Sequence, residues 1–442
     1  MQLSPGRSSC PRNVRTGAIP CVVAALVIVG GAATPAAARP PAGATPEAEG
    51  EVTKQPRDSD REKESDSDDE SHRTKRGGPV ITASSAVSAY SDTDSVHVIS
   101  PTVAGSVKDD IAGWSVDGRY LVDAVSAASV DIVSTASGRW KEIRHVGSLA
   151  AEMKSGTAAF SVAGGVSREP DYLSIGGGGT VSLELLDKNV TPFLGGSYGH
   201  DDVGRTGLPK EFWRTQQKGT FQLGVTFVVD RSTIAEVAVD GIFERGYLAK
   251  PYRYVPLFAP GVAATVPAGA SVTTVNELRL DLRSADALPD SRDRYSLSGR
   301  IAHRFDTSTV RADQRLYTDS WGMLASTTDA RLMVDLGQRF LLWPHGRLHV
   351  QRGIDFWERT YEATIDPGGA LAVPRYRTGD RELGPLYTVT VGGGVRWQLT
   401  AQPLPWALTF QMEGIFTRYL NDLYITQRRA LFADLSLEAS FQ

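Results

Sequence analysis

The sequence predicts an all-β protein: a transmembrane antiparallel β-barrel of about sixteen strands, preceded by a disordered acidic tether. Three observations predict this fold. After Gly78, apolar residues recur with a period of two, and no segment keeps a helical period. The connections between these segments also alternate between short and long, as in outer-membrane barrels.

The C-terminal segment shows the alternation most clearly. Leu431, Leu435 and Phe441 fall on one face, whereas Asp434 and Glu438 fall on the other. Side chains in a strand point alternately to opposite faces, so this segment has one apolar and one mostly polar side. A strand between lipid and a wet lumen needs this pattern, although a soluble β-sandwich also tolerates it.

Fifteen further segments complete the predicted sheet. We predict strands near 81–90, 95–107, 112–125, 143–154, 157–167, 172–186, 190–200, 216–229, 232–246, 293–304, 308–318, 323–336, 339–355, 386–398, 405–418 and 428–441. With the first strand rising from the periplasm, the short turns lie inside and the loops 126–142, 201–215, 247–292, 356–385 and 419–427 lie outside. Residues Val275 to Leu282 are expected to form an extra hairpin arm in the longest loop.

The N-terminus predicts export. Arg7, Arg12 and Arg15 precede an apolar run from residue 18 to 33, and small residues follow up to Ala38. This is the pattern of a signal peptide over residues 1–38, with a retained membrane anchor as the alternative. Both cysteines lie within it, so the mature chain is expected to contain no disulfide.

Residues 39–78 predict a disordered charged linker, and residues 79–442 the barrel. Between Glu47 and Arg76 there are seven Lys or Arg against eleven Asp or Glu, with no aromatic residue. Such a segment cannot bury enough apolar surface to fold alone. We interpret it as a periplasmic tether; recruitment of a basic partner by residues 58–70 is the alternative.

Four segments carry a resemblance to a known family: Tyr90–Asp94 with Ser100–Thr102, Tyr120–Ser134, Pro251–Pro256 and Asp319–Gly322. With these segments, the body from about Ala83 resembles an uncharacterised family, a domain of unknown function, of predicted outer-membrane β-barrels from Gram-negative bacteria. The resemblance implies location in the outer membrane and no established activity. The chain departs from the usual terminal aromatic by ending in Gln442, which bears on insertion by the barrel-assembly machinery.

The polar face of neighbouring strands predicts a charged lumen. The inward basic residues are Arg300, Arg304, Arg311, Arg315, Arg331 and Arg347, and the inward acidic residues are Glu236, Asp240, Glu413, Asp434 and Glu438. Opposed basic and acidic walls would create a transverse field that selects solutes. The alternative is an internal salt-bridge network, because Asp313 and Asp335 lie among the arginines.

Motifs for other chemistry are weak. Asp92, Asp94, Asp123 and Asp131 cluster at one predicted rim and suggest a calcium site, although turn aspartates are common. The segment Gly195–Gly199 matches a nucleophile elbow by letter, but no helix follows it. Gly176–Gly179 lacks the lysine and hydroxyl of a phosphate loop, so bending or close packing of strands is the better interpretation.

The function expected from the sequence is a pore or uptake channel for small polar solutes, surrounded by outer-membrane lipid. No catalytic residue, cofactor, metal or nucleic-acid partner is predicted. The alternatives are a structural or surface-interaction barrel plugged by loop 247–292, a barrel-embedded lipid or peptide hydrolase, and a soluble secreted β-protein. The sequence does not set the oligomeric state.

Overall fold

The computed structural model describes residues 78–127, 140–205, 207–365, 367–368, 371–400 and 405–441. The predicted signal peptide and all but the last residue of the predicted linker lie outside these residues.

Sixteen strands close into one antiparallel barrel. Each barrel strand pairs with the next barrel strand along the chain, and the last pairs with the first, placing Ser88 opposite Asp434 at the closing seam. Closure satisfies the backbone of every barrel strand on both sides, which a sheet in lipid requires. The predicted fold is confirmed.

The observed strands follow the predicted ones to within a few residues at most ends. They are β1 (Val80–Asp92), β2 (Val96–Asp109), β3 (Trp114–Ala127), β4 (Trp140–Ser155), β5 (Ala158–Glu169), β6 (Tyr172–Leu183), β7 (Val190–Val203), β8 (Arg214–Val228), β9 (Thr233–Gly246), β12 (Ser291–Arg304), β13 (Ser308–Asp319), β14 (Leu324–Leu336), β15 (Phe340–Arg352), β19 (Leu386–Gln398), β20 (Trp406–Tyr419) and β21 (Gln427–Phe441). Five shorter strands of the described residues lie outside the barrel, in the two longest loops.

The alternation in sequence becomes two faces of the barrel wall. Large apolar side chains on the outer face are widely exposed, as shown by Leu149 at 69%, Val162 at 63% and Val391 at 65%. Exposed apolar surface of this extent is unfavourable in water, at about 25 cal/mol for each Å². The outer face is therefore suited to an apolar surrounding such as lipid.

The long loops all lie at one end of the barrel, among a few tight turns, and the other end has only short connections. The turn between β4 and β5 contains Gly156, and that between β14 and β15 contains Gly337, with φ of 60° and 64°. This left-handed conformation favours glycine because a Cβ would collide with the backbone. The opposite end carries the loops that the parity of the connections predicts to be extracellular.

Residues 247–290 and 353–385 form a small folded structure over the loop-bearing end, which we call the outer cap. Its sheet has β10 (Tyr254–Phe258) between β11 (Arg279–Ala285) and β16 (Tyr361–Glu362), and β17 (Thr364–Ile365) pairs with β18 (Leu371–Ala372). Helix α1 spans Val272–Leu278 and precedes β11 directly.

The expected hairpin arm over Val275 to Leu282 is wrong for its first half, which is helical, whereas its second half lies in β11 and pairs antiparallel with β10. Ser271 caps α1 by accepting a hydrogen bond from the Thr274 amide, and the buried Val275 fixes the helix to the cap core. Within the described residues, no helix is long and apolar enough to cross a bilayer.

Candidate functional site

The predicted lumen arginines lie on one continuous wall formed by β12 to β15. Their side chains share the face opposite the exposed aliphatic residues, because register places Arg300 opposite Asp313 and Arg311 opposite Arg331. This face encloses the lumen. Among the described residues, four of the six arginines form ion pairs there, and two do not.

Asp313 links the first two arginines of this wall. Its carboxylate accepts from Nε of Arg300 on one side, and from Nε of Arg311 at 2.7 Å on the other. Arg300 also lies 3.5 Å from Glu236 on β9. One carboxylate therefore serves two guanidinium groups, and neither charge is isolated.

Two more arginines are paired individually. Arg315 lies 3.3 Å from Asp240 and donates to the Ser296 hydroxyl at 2.8 Å. Arg304 lies 2.5 Å from Asp335 near the short-turn end. These contacts match the alternative of a salt-bridge network for this part of the wall.

Arg331 and Arg347 differ from the other four. Among the described residues neither has an ion pair, and Nε of each is buried without a hydrogen-bond acceptor. The nearest acids, Asp329 on β14 and Glu413 on β20, are bonded instead to His345, at 2.9 Å and 3.0 Å. Both guanidinium groups lie near these acids, and Arg347 is directly opposite Asp329, but neither is bonded to them. Their donors therefore remain available to a solute in the lumen.

The acidic residues flank the arginines rather than facing them. Glu236 and Asp240 lie on β9, directly beside β12, and contact Arg300 and Arg315. Near the seam, Glu438 lies 3.0 Å from Arg396, and Asp434 accepts from Ser88 at 2.5 Å. The expected opposed walls do not describe this arrangement, because cross-strand neighbours are close enough to pair directly.

A turn of the cap, Arg381–Leu383, inserts against the inner face at the outer end of the barrel; we call it the plug turn. The Glu382 carboxylate accepts from the Tyr419 hydroxyl at 2.5 Å and from Arg428 at 3.1 Å. Gln351 donates to the backbone oxygen of Glu382 at 2.8 Å. The plug turn is thereby bonded to β15, β20 and β21 at once.

The wall beneath the cap is buried. Glu244 on β9, Leu386 on β19 and Thr417 on β20 each have 0% exposure, and Glu244 pairs with the buried Arg294 at 2.5 Å. A buried pair of this kind resists separation because each ion alone would be poorly solvated. The outer part of the lumen is therefore filled along this arc.

A buried ionic cluster joins the two loops of the cap. Asp380 of the second loop lies 2.8 Å from Lys250 and 2.6 Å from Arg253 of the first. Burial alone would raise the pKa of Asp380, but the two cations outweigh it and hold that pKa well below the usual range. The carboxylate is charged, and it fastens one loop to the other.

Asp286 lies in the same region of the cap, but its pKa is shifted in the opposite direction. It accepts from the Gly379 amide at 3.3 Å, so it also joins the first loop to the second. Burial raises the pKa of Asp286, and the nearby Arg253 offsets only part of the effect. The charged form of this carboxyl is thus unfavourable in the folded cap.

The cap rests on outer turns around much of the barrel. Leu423 of the β20–β21 connection packs into the cap core with Phe258 and Val275, and Trp321 of the β13–β14 turn packs with Leu383. Tyr252 donates to Asp171 of the β5–β6 turn. The cap therefore spans the outer mouth instead of projecting from one side.

The remaining motifs are accounted for by local bonding. Asp94 pairs with Arg381 at 2.8 Å and Asp123 pairs with Arg144, whereas Asp131 lies outside the described residues. The nearest approach to a metal-binding group in the described part is Glu142, Glu169 and Asp171, whose ligand atoms lie within 4.8 Å of one another. The aspartates singled out from the sequence do not form such a group.

The glycine-rich segments also lie inside strands, as expected. Ser197 is within β7 and bonds to Thr220 at 2.6 Å, with no helix after it. A Cβ on Gly178 would lie 2.4 Å from the backbone oxygen of Gly196. Close strand packing therefore explains the glycine at that position.

Sequence reasoning missed the plug turn and the ionic cluster of Lys250, Arg253 and Asp380. Both depend on contacts between loops far apart in the chain, which period and register do not predict. The density of charge in residues 375–382, within a loop that also contains apolar residues, was the available indication that this loop folds.

A closed sheet with an apolar outer face and a charged inner face defines an outer-membrane-type β-barrel. A family model described as "Protein of unknown function (DUF3570)" matches residues 61–413, and the chain belongs to that family. The resemblance drawn from the sequence is thereby confirmed. No curated protein sequence matches the chain.

Several solved structures are similar to the chain. A bacterial polysaccharide outer membrane secretin has a TM-score of 0.40 at 10% identity, covering 82% of this chain and 98% of its own. OccK5 (OpdH) of Pseudomonas aeruginosa has 0.36 at 8%, with the same coverage. The ferric enterobactin receptor PfeA of Pseudomonas aeruginosa has 0.36 at 10% and covers 76% of this chain. The chain spans about half, 54%, of that receptor's length.

Proposed function

We propose that this barrel is an outer-membrane channel for small polar solutes that carry a carboxylate or phosphate, and that the outer cap controls access to it. One observation carries this function: Arg331 and Arg347 lie on the inner face without an ion pair among the described residues. A channel lumen gives such groups a role that a solid protein core does not.

Electrostatics support an anionic group as the preferred cargo. A guanidinium in a narrow lumen acts at a lower effective dielectric than in bulk water, so it attracts an anion more strongly. Its planar donors also match a carboxylate or phosphate in geometry. Because Arg311 lies opposite Arg331 in register, a bound anion would meet several donors on one wall.

The cap supports controlled rather than free passage. It is bonded to several outer turns, and the plug turn occupies the inner face at the outer end of β15, β20 and β21. Passage therefore requires the plug turn or the whole cap to move, as in other proteins where a loop gates a site.

The same plug turn favours a second candidate, a surface-interaction barrel whose lumen stays closed. In that case the folded cap presents its exposed surface to a partner, and the lumen arginines serve only to hold the wall. Conductance separates the two candidates, since only the channel opens.

The function is tested by single-channel recording of the refolded protein in a planar lipid bilayer. We expect opening events in potassium chloride, and inorganic phosphate added on the short-turn side should interrupt the current. A trace that stays closed at all voltages favours the plugged barrel. Lipase and protease assays on the same sample address the barrel-embedded hydrolase, and turnover above a heat-denatured control would favour it.

A further inference from the structure

The outer face of β2 to β5 carries an apolar groove of about 770 Å³. Four glycines form its floor, and large apolar side chains form its sides: Gly105, Gly118, Gly147 and Gly164, with Val103, Tyr120, Leu149 and Val166. Register places these residues on the same face, since Gly105 lies opposite Gly118 and Tyr120 lies opposite Gly147. The groove is of a size that holds a small ligand.

The backbone does not need glycine at these places. A Cβ would meet nothing closer than 3.9 Å on Gly105 or Gly147, and nothing closer than 3.6 Å on Gly164. On Gly118 it would lie 3.3 Å from Cδ2 of the Leu149 side chain, and not against backbone. Gly178, on the neighbouring strand β6, is different because a Cβ there collides with backbone. A strand glycine without a backbone collision is typical of a bend in the sheet or of close approach by a ligand, and the apolar sides of the groove favour the ligand.

Polar groups lie at the loop-bearing end of this groove. The Tyr120 hydroxyl lies 2.7 Å from Nδ1 of His145, and the two rings stack with centroids 6.2 Å apart. Arg168 is the next outward residue after Val166, and its cross-strand neighbours are His145 and Leu173. Arg168 is exposed and, within the described part of the chain, has no ion pair. A cation therefore faces the membrane directly above an apolar groove.

We infer that this surface binds a phosphorylated lipid of the outer leaflet, with one acyl chain in the glycine groove and a phosphate against Arg168 and the Tyr120–His145 pair. The charge is complementary to a phosphate, and the loop-bearing end of such barrels faces the outer leaflet. A second copy of the chain fits less well, because it would bury an unpaired guanidinium against an apolar surface.

Native mass spectrometry of the delipidated, refolded full chain tests this site, with a bis-phosphorylated lipid A as the probe. We expect Arg168→Gln to weaken binding about tenfold, the effect of losing one hydrogen bond to a charged group. Gly147→Leu and Gly164→Leu should weaken it similarly by filling the groove. Heat-modifiable gel migration verifies that each variant is folded; Arg168 is exposed, so its substitution leaves the packing unchanged.

Matched controls lie elsewhere on the outer face. Arg418→Gln removes an exposed arginine on β20, and Ala312→Leu enlarges a small outward residue on β13; neither should change binding. The site is refuted if dephosphorylated lipid A binds as tightly as the probe, or if Arg168→Gln and Arg418→Gln behave alike. Dimers that dissociate in Gly147→Leu would assign the groove to a second copy instead.

Discussion

At the scale of single residues, the lumen wall combines paired and unpaired arginines. Sequence periodicity placed all six arginines on the inner face, but it could not show which of them have a carboxylate within bonding distance. Arg311 and Arg315 are neutralised by Asp313 and Asp240, whereas Arg331 and Arg347 are not paired because His345 takes the adjacent acids. In the proposed channel, Arg331 and Arg347 are therefore the residues that would set selectivity.

The shared carboxylate of Asp313 should matter for stability. Asp313→Asn leaves Arg300 and Arg311 without their common partner, and we expect the free energy of unfolding to fall by about 1–3 kcal/mol. Urea titration followed by heat-modifiable migration measures this. Asp335→Asn is the control, since the pair of Asp335 with Arg304 is more exposed, and its loss should have little effect. Equal urea midpoints for Asp313→Asn and Asp335→Asn would contradict the role of Asp313 as a link between two arginines.

Asp286 should make the cap sensitive to pH. Because its pKa is raised in the folded cap, its contribution to stability is complete below the ordinary value of 3.8 and is lost as the pH rises through the raised pKa. Asp286→Asn removes the charge. We therefore expect the cap amides of this variant to stay protected from hydrogen exchange at the pH values at which those of the wild type lose protection. Hydrogen exchange of cap amides between about pH 4 and pH 8, corrected for intrinsic rates, measures the difference. Identical profiles would contradict this role.

At the scale of elements, the two loops of the cap are held together by Asp380. The lowered pKa of this group means that its contribution is present above 3.8 and is lost only as the pH falls through the lowered pKa. The pH dependence of this contribution has the opposite sign to that of Asp286. Negative charge on Asp286 destabilises the cap, whereas negative charge on Asp380 stabilises it.

Removal of the Asp380 charge should loosen the cap. Asp380→Asn leaves Lys250 and Arg253 without this partner, and breaking a buried pair of this kind costs about 3–5 kcal/mol. We expect faster proteolysis within residues 247–290 and more frequent channel opening, with the barrel intact. Asp355→Asn is the control, because its pair with Arg352 is exposed at 63% on both sides. Equal resistance of the cap to proteolysis in Asp380→Asn and Asp355→Asn would contradict the account.

The sequence predicted the barrel strands well and the cap poorly, for a physical reason. β9 was predicted at 232–246 and is observed at Thr233–Gly246. The two agree because consecutive residues within each strand encode the alternation between its two faces. The contact of Lys250 with Asp380 joins residues 130 positions apart, and no local pattern encodes it. The same holds for α1, where the tertiary packing of Val275 favours a helix in the first half of the expected hairpin arm.

At the scale of the whole molecule, the barrel combines a lipid-facing surface, a charged lumen and a folded cap over the loop-bearing end. The closed sheet supplies the stability, since its backbone is satisfied without disulfides or helices. The cap lies over the lumen arginines and leaves the outer face free. These parts support the proposed channel, in which different residues would set opening and selectivity.

The central claim is tested most directly by the reversal potential of the open channel under a potassium chloride gradient. Replacing both Arg331 and Arg347 with glutamine should shift this potential towards cation selectivity, because two unpaired positive charges leave the lumen wall. Arg418→Gln removes a charge from the outer face and should leave the potential unchanged. A channel that never opens, or a double variant with the wild-type reversal potential, would contradict the account.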